Sequence, residues 1–297
     1  SYSVTGVQTC ALPILACLWC HNPESQSLTS VLLYRANRCL GCGACAEVCP
    51  ENAIVESNVS RRWTIESRET FDSVTTDLSK CTRCQTCITT CYSGAREFSG
   101  REMTVSEVMA QVAREIPFYD ESGGGVTFSG GEPLMQPGFL SALLQACKKQ
   151  EIHTVVDTSG FANWQVFEQI RGEVDLFLYD LKHMDSEKHR EVTGVPNEPI
   201  LENLRRLSAA GAKCVVRIPL IPGINDNEAN LVESGKFLAG LSQIEGIEIM
   251  GYHDIAQAKY EALGREYALF GLQPPAEAEM NHAADLLRSY GLNVVVR

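Results

Sequence analysis

The chain has 297 residues, 44% hydrophobic and 21% charged, with 25 Lys plus Arg against 37 Asp plus Glu for a formal charge of −12. That composition excludes a disordered or low-complexity chain and leaves no basic tract for gripping nucleic acid or an anionic membrane. No run approaches the ~18 apolar residues of a membrane span.

Along the chain, Ala11 to Trp19 comes first; it is apolar but lacks the basic flank and small-residue cleavage site of a secretory signal. The chain carries 13 cysteines, an odd and tightly clustered set. Without a signal segment, that pattern favours metal binding in a reducing cytoplasm over disulfides. Cys17 and Cys20 stand in CLWCHNPE. Cys39, Cys42, Cys45 and Cys49 then form C-x2-C-x2-C-x3-C before Pro50, and Cys81, Cys84, Cys87 and Cys91 repeat the spacing 42 positions later. The repeated unit resembles a two-cluster ferredoxin domain, in which three thiolates of a run hold one [4Fe–4S] cube and the fourth crosses to the other. By that rule Cys39, Cys42, Cys45 and Cys91 hold one cluster, and Cys81, Cys84, Cys87 and Cys49 hold the second. Structural zinc would spread its C-x2-C pairs a dozen or more residues apart, which this spacing does not. The second run departs from the ferredoxin pattern in carrying Tyr92 where Pro is usual. Residues 35–96 therefore read as a dicluster insert, polar between its two cysteine runs.

Beyond residue 97 the pattern changes to short apolar runs alternating with amphipathic stretches. Strands are predicted at Val126–Ser129, Thr154–Asp157, Leu176–Leu181, Cys214–Ile218, Ile247–Met250 and Val294–Val296. Helices are predicted near Val105–Glu115, Gly138–Gln150, Trp164–Ile170, Pro199–Ala210, Ala229–Ala239 and Pro275–Tyr290. Such alternation implies a parallel sheet flanked by helices, with functional residues at the carboxyl ends of strands. Periodicity alone leaves a partial barrel and an open sheet equally possible. Cys147 and Cys214 fall inside these elements and read as small buried hydrophobes.

Polar motifs stand at those strand ends. Ser129-Gly130-Gly131-Glu132-Pro133 follows the first, Asp157-Thr158-Ser159-Gly160 the second, and Asp180-Leu181-Lys182-His183 the third. Arg217 lies in VVRIPLIPG, and Tyr252-His253 follows the fifth strand. With CLWCHNPE ahead of them, this order closely resembles the radical S-adenosylmethionine (SAM) enzymes that activate glycyl-radical enzymes, in the subgroup with two auxiliary clusters. The resemblance runs from Leu15 to Arg297. It implies an α/β fold: a partial (β/α)6 barrel over 15–34 and 97–297, with the ferredoxin-like insert between.

The resemblance also implies the chemistry. One electron enters a SAM-bound [4Fe–4S] cluster, SAM is cleaved reductively, and the 5′-deoxyadenosyl radical takes a hydrogen from a glycine Cα of a large partner enzyme. Cys17 and Cys20 would be ligands of that cluster. Gly130, Gly131 and Glu132 would offer acceptors to the methionine ammonium, with glycine allowing close backbone approach. Asp157, Asp180 and Lys182 would surround the methionine carboxylate, the ribose and a monovalent cation, beside Thr158, Ser159 and the backbone near Leu178. Asn22 and His253 would border SAM. Lys182 and Arg217 are the candidate catalytic residues, Arg217 facing the partner's glycine loop. A low-potential donor such as flavodoxin or ferredoxin would supply the electron, and the protein would work in the cytoplasm without nucleic acid or membrane partners.

One position departs from the family. Its pattern C-x3-C-x2-C puts a first ligand at position 13, which here is Pro13. Residues Val4 to Ile14 resemble a translated sequencing adapter, so 1–14 are expected to be an artefact, the first barrel strand to be missing, and activity to be impaired. A ligand role for Cys10 is the alternative. Two other functional classes fit parts of the pattern: a radical SAM enzyme with a different substrate, and an iron–sulfur electron carrier without catalysis.

Overall fold

A computed structural model describes residues 2–3, 15–27, 30–61, 71–100 and 102–297. Its strands, in chain order, are Tyr2–Ser3 (β1), Leu32–Tyr34 (β2), Ile54–Arg61 (β3), Phe71–Thr76 (β4), Arg96–Phe98 (β5), Gly125–Phe128 (β6), His153–Thr158 (β7), Leu176–Asp180 (β8), Cys214–Leu220 (β9), Gly246–Gly251 (β10) and Val294–Val296 (β11). They belong to two compact units. One comprises Ser1–Leu28, Gly100–Gln257 and Tyr267–Arg297; the other comprises Thr29–Ser99 and Ala258–Glu266.

The larger unit holds one sheet in the order β1-β6-β7-β8-β9-β10-β11, with every pairing parallel. All six predicted strands are present, within two residues at their ends. From β6 onward, sheet order follows chain order without reversal. Right-handed crossovers then put every connecting helix on the same face, and the sheet curls around the other face as part of a barrel. An open doubly wound sheet would reverse its order part-way, which this one does not. At the other edge, where a missing strand was expected, the two-residue β1 pairs with β6; residues 4–14 lie outside the described residues.

Alternation along each strand builds the core. On β9, Cys214, Val216, Ile218 and Leu220 are buried, and they pack with Val156, Phe177, Tyr179 and Ile249 of neighbouring strands under the helices. Cys147 and Cys214 sit in that core, fully buried, as small apolar side chains. The helix Val105–Val112 begins where the sequence signals it: Thr104 Oγ1 accepts the Glu107 N–H, and the Glu107 carboxylate accepts the Thr104 N–H. The helices without a predicted counterpart include Ile116–Ser122 and Ser186–Thr193, whose apolar patterns are weak. The second buries only His189, Val192 and Thr193 and is fixed by its Asp185 cap and Gly194 stop.

The smaller unit has two antiparallel ladders, β2 with β5 and β3 with β4. The β2–β5 ladder pairs the two ends of the 29–99 segment of this unit. Among the described residues no helix is long and apolar enough to cross a membrane.

Candidate functional site

The period of two that buries Val156, Tyr179 and Val216 turns Asp157, Asp180 and Arg217 to the opposite face of the sheet. Register then sets Asp180 beside Arg217. The Arg217 guanidinium lies between two carboxylates: Nη2 donates to Asp157 Oδ1 and, at 2.9 Å, to Asp180 Oδ1, and Nε donates to Asp180 Oδ1 at 3.1 Å. Lys182 Nζ donates to Asp180 Oδ2 at 2.8 Å, and the Ser129 hydroxyl to Asp157 Oδ2 at 3.0 Å. The four charged side chains are 9–23% exposed, so two cations and two carboxylates share a largely dry site. Burial pushes the Asp180 carboxyl up, but Lys182 and Arg217 outweigh it and hold it below the ordinary carboxylate range. Burial pushes Lys182 down, and Asp180 reverses the sign to raise it. Asp157 is raised, chiefly by burial and then by Asp180.

These strand ends open on a cavity of about 320 Å³. Its wall includes Cys17, Cys20, Asn22, Gly130, Gly131, Glu132, Asp157, Ser159, Asp180, Lys182 and Arg217, drawn together from five separate segments. The cysteine segment is docked by its backbone, Ala16 N–H to Thr193 O at 2.8 Å and Leu18 N–H to Val192 O at 3.0 Å. Burial pushes the Cys17 thiol up to about 12, against the pull of Lys182. Gly130 has φ 139°, a conformation open to glycine, which brings its backbone to the cavity wall. Acceptors, cations and thiols around one space of this size fit an amino-acid-bearing nucleoside held against a thiolate-bound metal.

The smaller unit has a second cavity, lined by Cys49, Cys81, Cys84 and Cys87. That is the set the ferredoxin crossing rule assigns to one cube, with Cys49 arriving from the other run. Cys39, Cys42, Cys45 and Cys91 are exposed or half-buried in the same unit. No three His, Cys, Asp or Glu among the described residues close around a single metal ion. A cube distributes four thiolates over four irons, so a shared cavity is the geometry that bears on it.

Residues 80–234 match the radical SAM superfamily model. The chain belongs to the radical SAM superfamily. Residues 38–95 of this radical SAM protein match the 4Fe-4S dicluster domain. It is 36% identical to the trans-4-hydroxy-L-proline dehydratase activating enzyme of Clostridioides difficile, over 95% of this chain and 90% of that one. It is 37% identical to the choline trimethylamine-lyase activating enzyme of Oleidesulfovibrio alaskensis, over 95% and 89%. Among solved structures, a domain of pyruvate-formate lyase-activating enzyme from Bacteroides vulgatus superposes with TM-score 0.51 at 39% identity, covering 59% of this chain and 99% of that one. Within the superfamily, the chain is a member of the activating enzymes of glycyl-radical enzymes.

Two of the residues read from the sequence stand differently in this radical SAM protein. Arg217, expected to face a partner's glycine loop, is engaged by Asp157 and Asp180, which draw a cation into their own plane. Glu132, expected to offer an acceptor to a ligand, is 6% exposed and already accepts from Leu134 N–H, Thr158 Oγ1, Ser159 N–H and Ser159 Oγ. Those four donors fill a carboxylate's lone-pair directions, so the open acceptors nearby are backbone carbonyls. His253 stacks on His21, ring centroids 4.2 Å apart, and His21 lines the cavity. Cys10 and Pro13 lie outside the described residues.

The sequence did not announce the asparagines behind the site. Asn225 is fully buried; its Nδ2 donates to Lys182 O and Pro219 O, and its Oδ1 accepts the Ile221 N–H. Asn230 Oδ1 accepts the Met184 N–H, and Asn197 Nδ2 donates to His183 O and Met184 O. Together they fix the backbone carrying Lys182. An isolated Asn in a loop is ordinary turn chemistry, so no local signal marks them.

Proposed function

We propose that this protein activates a glycyl-radical enzyme by reductive cleavage of SAM and removal of a glycine Cα hydrogen. The observation that carries the reading is the single cavity uniting Cys17 and Cys20 with Gly130–Gly131, Asp157, Asp180, Lys182 and Arg217. A [4Fe–4S] cluster with SAM on it supplies the one-electron cleavage and the hydrogen-abstracting radical. Everything else falls to the chain's own residues. The carbonyls of Gly130 and Gly131 accept from the methionine ammonium. Lys182 meets the methionine carboxylate, and Asp157 and Asp180 accept from the ribose hydroxyls. Arg217 locks both carboxylates in place and keeps the quartet neutral. Buried as they are, these groups also exclude water that would quench a radical.

The insert holds two auxiliary [4Fe–4S] clusters by the crossed ligand sets, relaying electrons from a low-potential donor such as flavodoxin or ferredoxin in the cytoplasm. Residues 1–14 are best read as adapter-derived, which leaves Cys17 and Cys20 one thiolate short of the family's three.

The test is anaerobic incubation with SAM and a strong reductant. It uses both the unmodified chain and one whose residues 1–14 are replaced by a strand ending in Cys at position 13. The replaced chain should release 5′-deoxyadenosine and, with its partner enzyme, generate a glycyl radical visible by electron paramagnetic resonance (EPR). A fully loaded protein that forms no 5′-deoxyadenosine would return it to simple electron transfer. Cleavage of SAM without a glycyl radical on any glycyl-radical enzyme would assign it another substrate.

A further inference from the structure

Among the described residues, Arg96 is the most deeply buried cation of the smaller unit, at 2% exposure. It starts β5 directly opposite Tyr34 of β2, and its guanidinium lies over the Tyr34 ring, 5.2 Å from the centroid. Nη1 donates to Thr76 Oγ1 at 2.9 Å. Nε and Nη2 are buried and have no hydrogen-bond partner among the described residues. All three nitrogens are thus accounted for, and none of them faces a carboxylate there. A guanidinium in that condition is strongly unfavourable unless some other anion offsets it.

The anions at hand are thiolates. Thr76, which accepts from Nη1, lines the cavity shared by Cys49, Cys81, Cys84 and Cys87, and the Cys91 sulfur lies against the backbone N–H groups of Ala95 and Arg96. Tyr34, beneath the guanidinium, reaches Cys39 through its hydroxyl. Cys39 and Cys91 belong to one crossed set and the cavity cysteines to the other, so Arg96 borders both. A cube held by four thiolates is a net anion, and reduction by one electron from the external donor adds a further negative charge.

We infer that Arg96 is the shared counter-charge of the two auxiliary clusters, raising the reduction potential of both by stabilising their reduced states. This rests on the insert holding two clusters. It concerns a positioned charge rather than a ligand, so iron content and potential separate the two claims.

The experiment is an EPR-monitored redox titration of the anaerobically reconstituted full chain, following the signals that SAM addition does not change. Iron content is measured first: wild-type protein without insert clusters overturns the ligand assignment and this inference with it, whereas full loading leaves the role of the charge alone to be tested. In Arg96→Met, iron content should hold while both potentials fall, with the reduced-to-oxidised ratio at a fixed potential dropping about tenfold, equivalent to about 59 mV for one electron. Arg96→Lys should stay near wild type. Unchanged potentials in Arg96→Met overturn the inference. Should Arg96→Met fail to take up iron, Arg96→Gln decides: native potentials there also overturn it. Iron loss from both neutral variants, with loading retained by Arg96→Lys, supports a requirement for the charge. Loss from all three, Lys included, assigns Arg96 to packing and overturns it.

Discussion

Glu132 and Lys182 are both buried charged residues, and their surroundings give them opposite tasks. Every lone pair of Glu132 serves the chain itself, tying the turn after β6 to the turn after β7. Removing it leaves the Leu134 and Ser159 N–H groups without acceptors. Glu132→Ala should therefore lose about 2–4 kcal/mol in a denaturant titration. An unchanged midpoint would mean that water replaces the carboxylate at no loss. Lys182 makes one hydrogen bond, to Asp180, and spends its remaining donors at the cavity. Lys182→Ala should weaken SAM binding about tenfold or more, the worth of a charged hydrogen bond. Its stability loss should be smaller than that of Glu132→Ala, because Arg217 still pairs Asp180. Equal SAM affinity in an anaerobic equilibrium titration would reduce Lys182 to an ion-pair partner. Asp180 also carries a pH signature. Its pKa is lowered in the fold, so its stabilising contribution is complete above the unfolded value and disappears as pH falls through the lowered one. Asp180→Asn should flatten that acid limb of stability.

β7 delivers Asp157, Thr158 and Ser159 to the cavity only because the chain turns sharply after it. Gly160 makes that turn at φ 80°, and its carbonyl accepts from Asn203 Nδ2 at 2.9 Å. A Cβ there would stand 2.0 Å from Tyr179 Oη of β8 and 2.1 Å from its ring carbon. Tyr179 is fully buried and its hydroxyl donates to Ile200 O at 2.7 Å, so it has nowhere to retreat. Gly160→Ala combines left-handed strain with overpacking and should cost about 2–4 kcal/mol, measured as a fall in the unfolding midpoint. SAM affinity should fall with it, because Ser159 is displaced. A variant with wild-type stability would mean that β7 and β8 slide apart more readily than their packed core allows. The same dependence explains the helix Ser186–Thr193: it has little apolar face, yet its final residues anchor the strand-like segment that carries Cys17.

The two units divide the cysteines between them, with Cys17 and Cys20 in the larger and eight at ferredoxin spacing in the smaller. Their metal loading should divide in the same way. Replacing Cys17 and Cys20 together by Ala should leave about 8 irons per chain, at four per cube. Complete loss of iron would show that the sites are not independent. The unmodified chain should also load about 8 rather than about 12, since a cube with an open iron for SAM needs three thiolates and only two are at family spacing. The chain with Cys at position 13 in a family-like strand should reach about 12. If the unmodified chain already loads about 12 and cleaves SAM, and Cys10→Ala abolishes both, then Cys10 is a ligand.

Cysteine spacing, strand cores and strand-end motifs are all legible in the amino-acid sequence, because each is a local property. Thiol spacing limits which irons a loop can reach, and the apolar runs that fill the core are contiguous in the chain. Asp157, Asp180 and Lys182 are legible for the same reason: each follows an apolar run at a position where a parallel strand ends. Nothing local distinguishes a curled sheet from an open one. The unreversed order from β6 to β11 decides that, and order is a relation among segments far apart in sequence. The same holds for hydrogen-bond partners. Glu132 is saturated largely by Thr158 and Ser159, more than twenty positions away, Arg217 is turned inward by two carboxylates on other strands, and Asn225 holds Lys182 from the turn after the neighbouring strand. Arg96 carries the point furthest: in sequence it is one arginine beyond a cysteine run, and only folding buries its charge against Tyr34 and Thr76, which adjoin cysteines of both runs. A side chain's chemistry is written in its type, but what that chemistry acts on depends on register and closure, which no window of sequence contains.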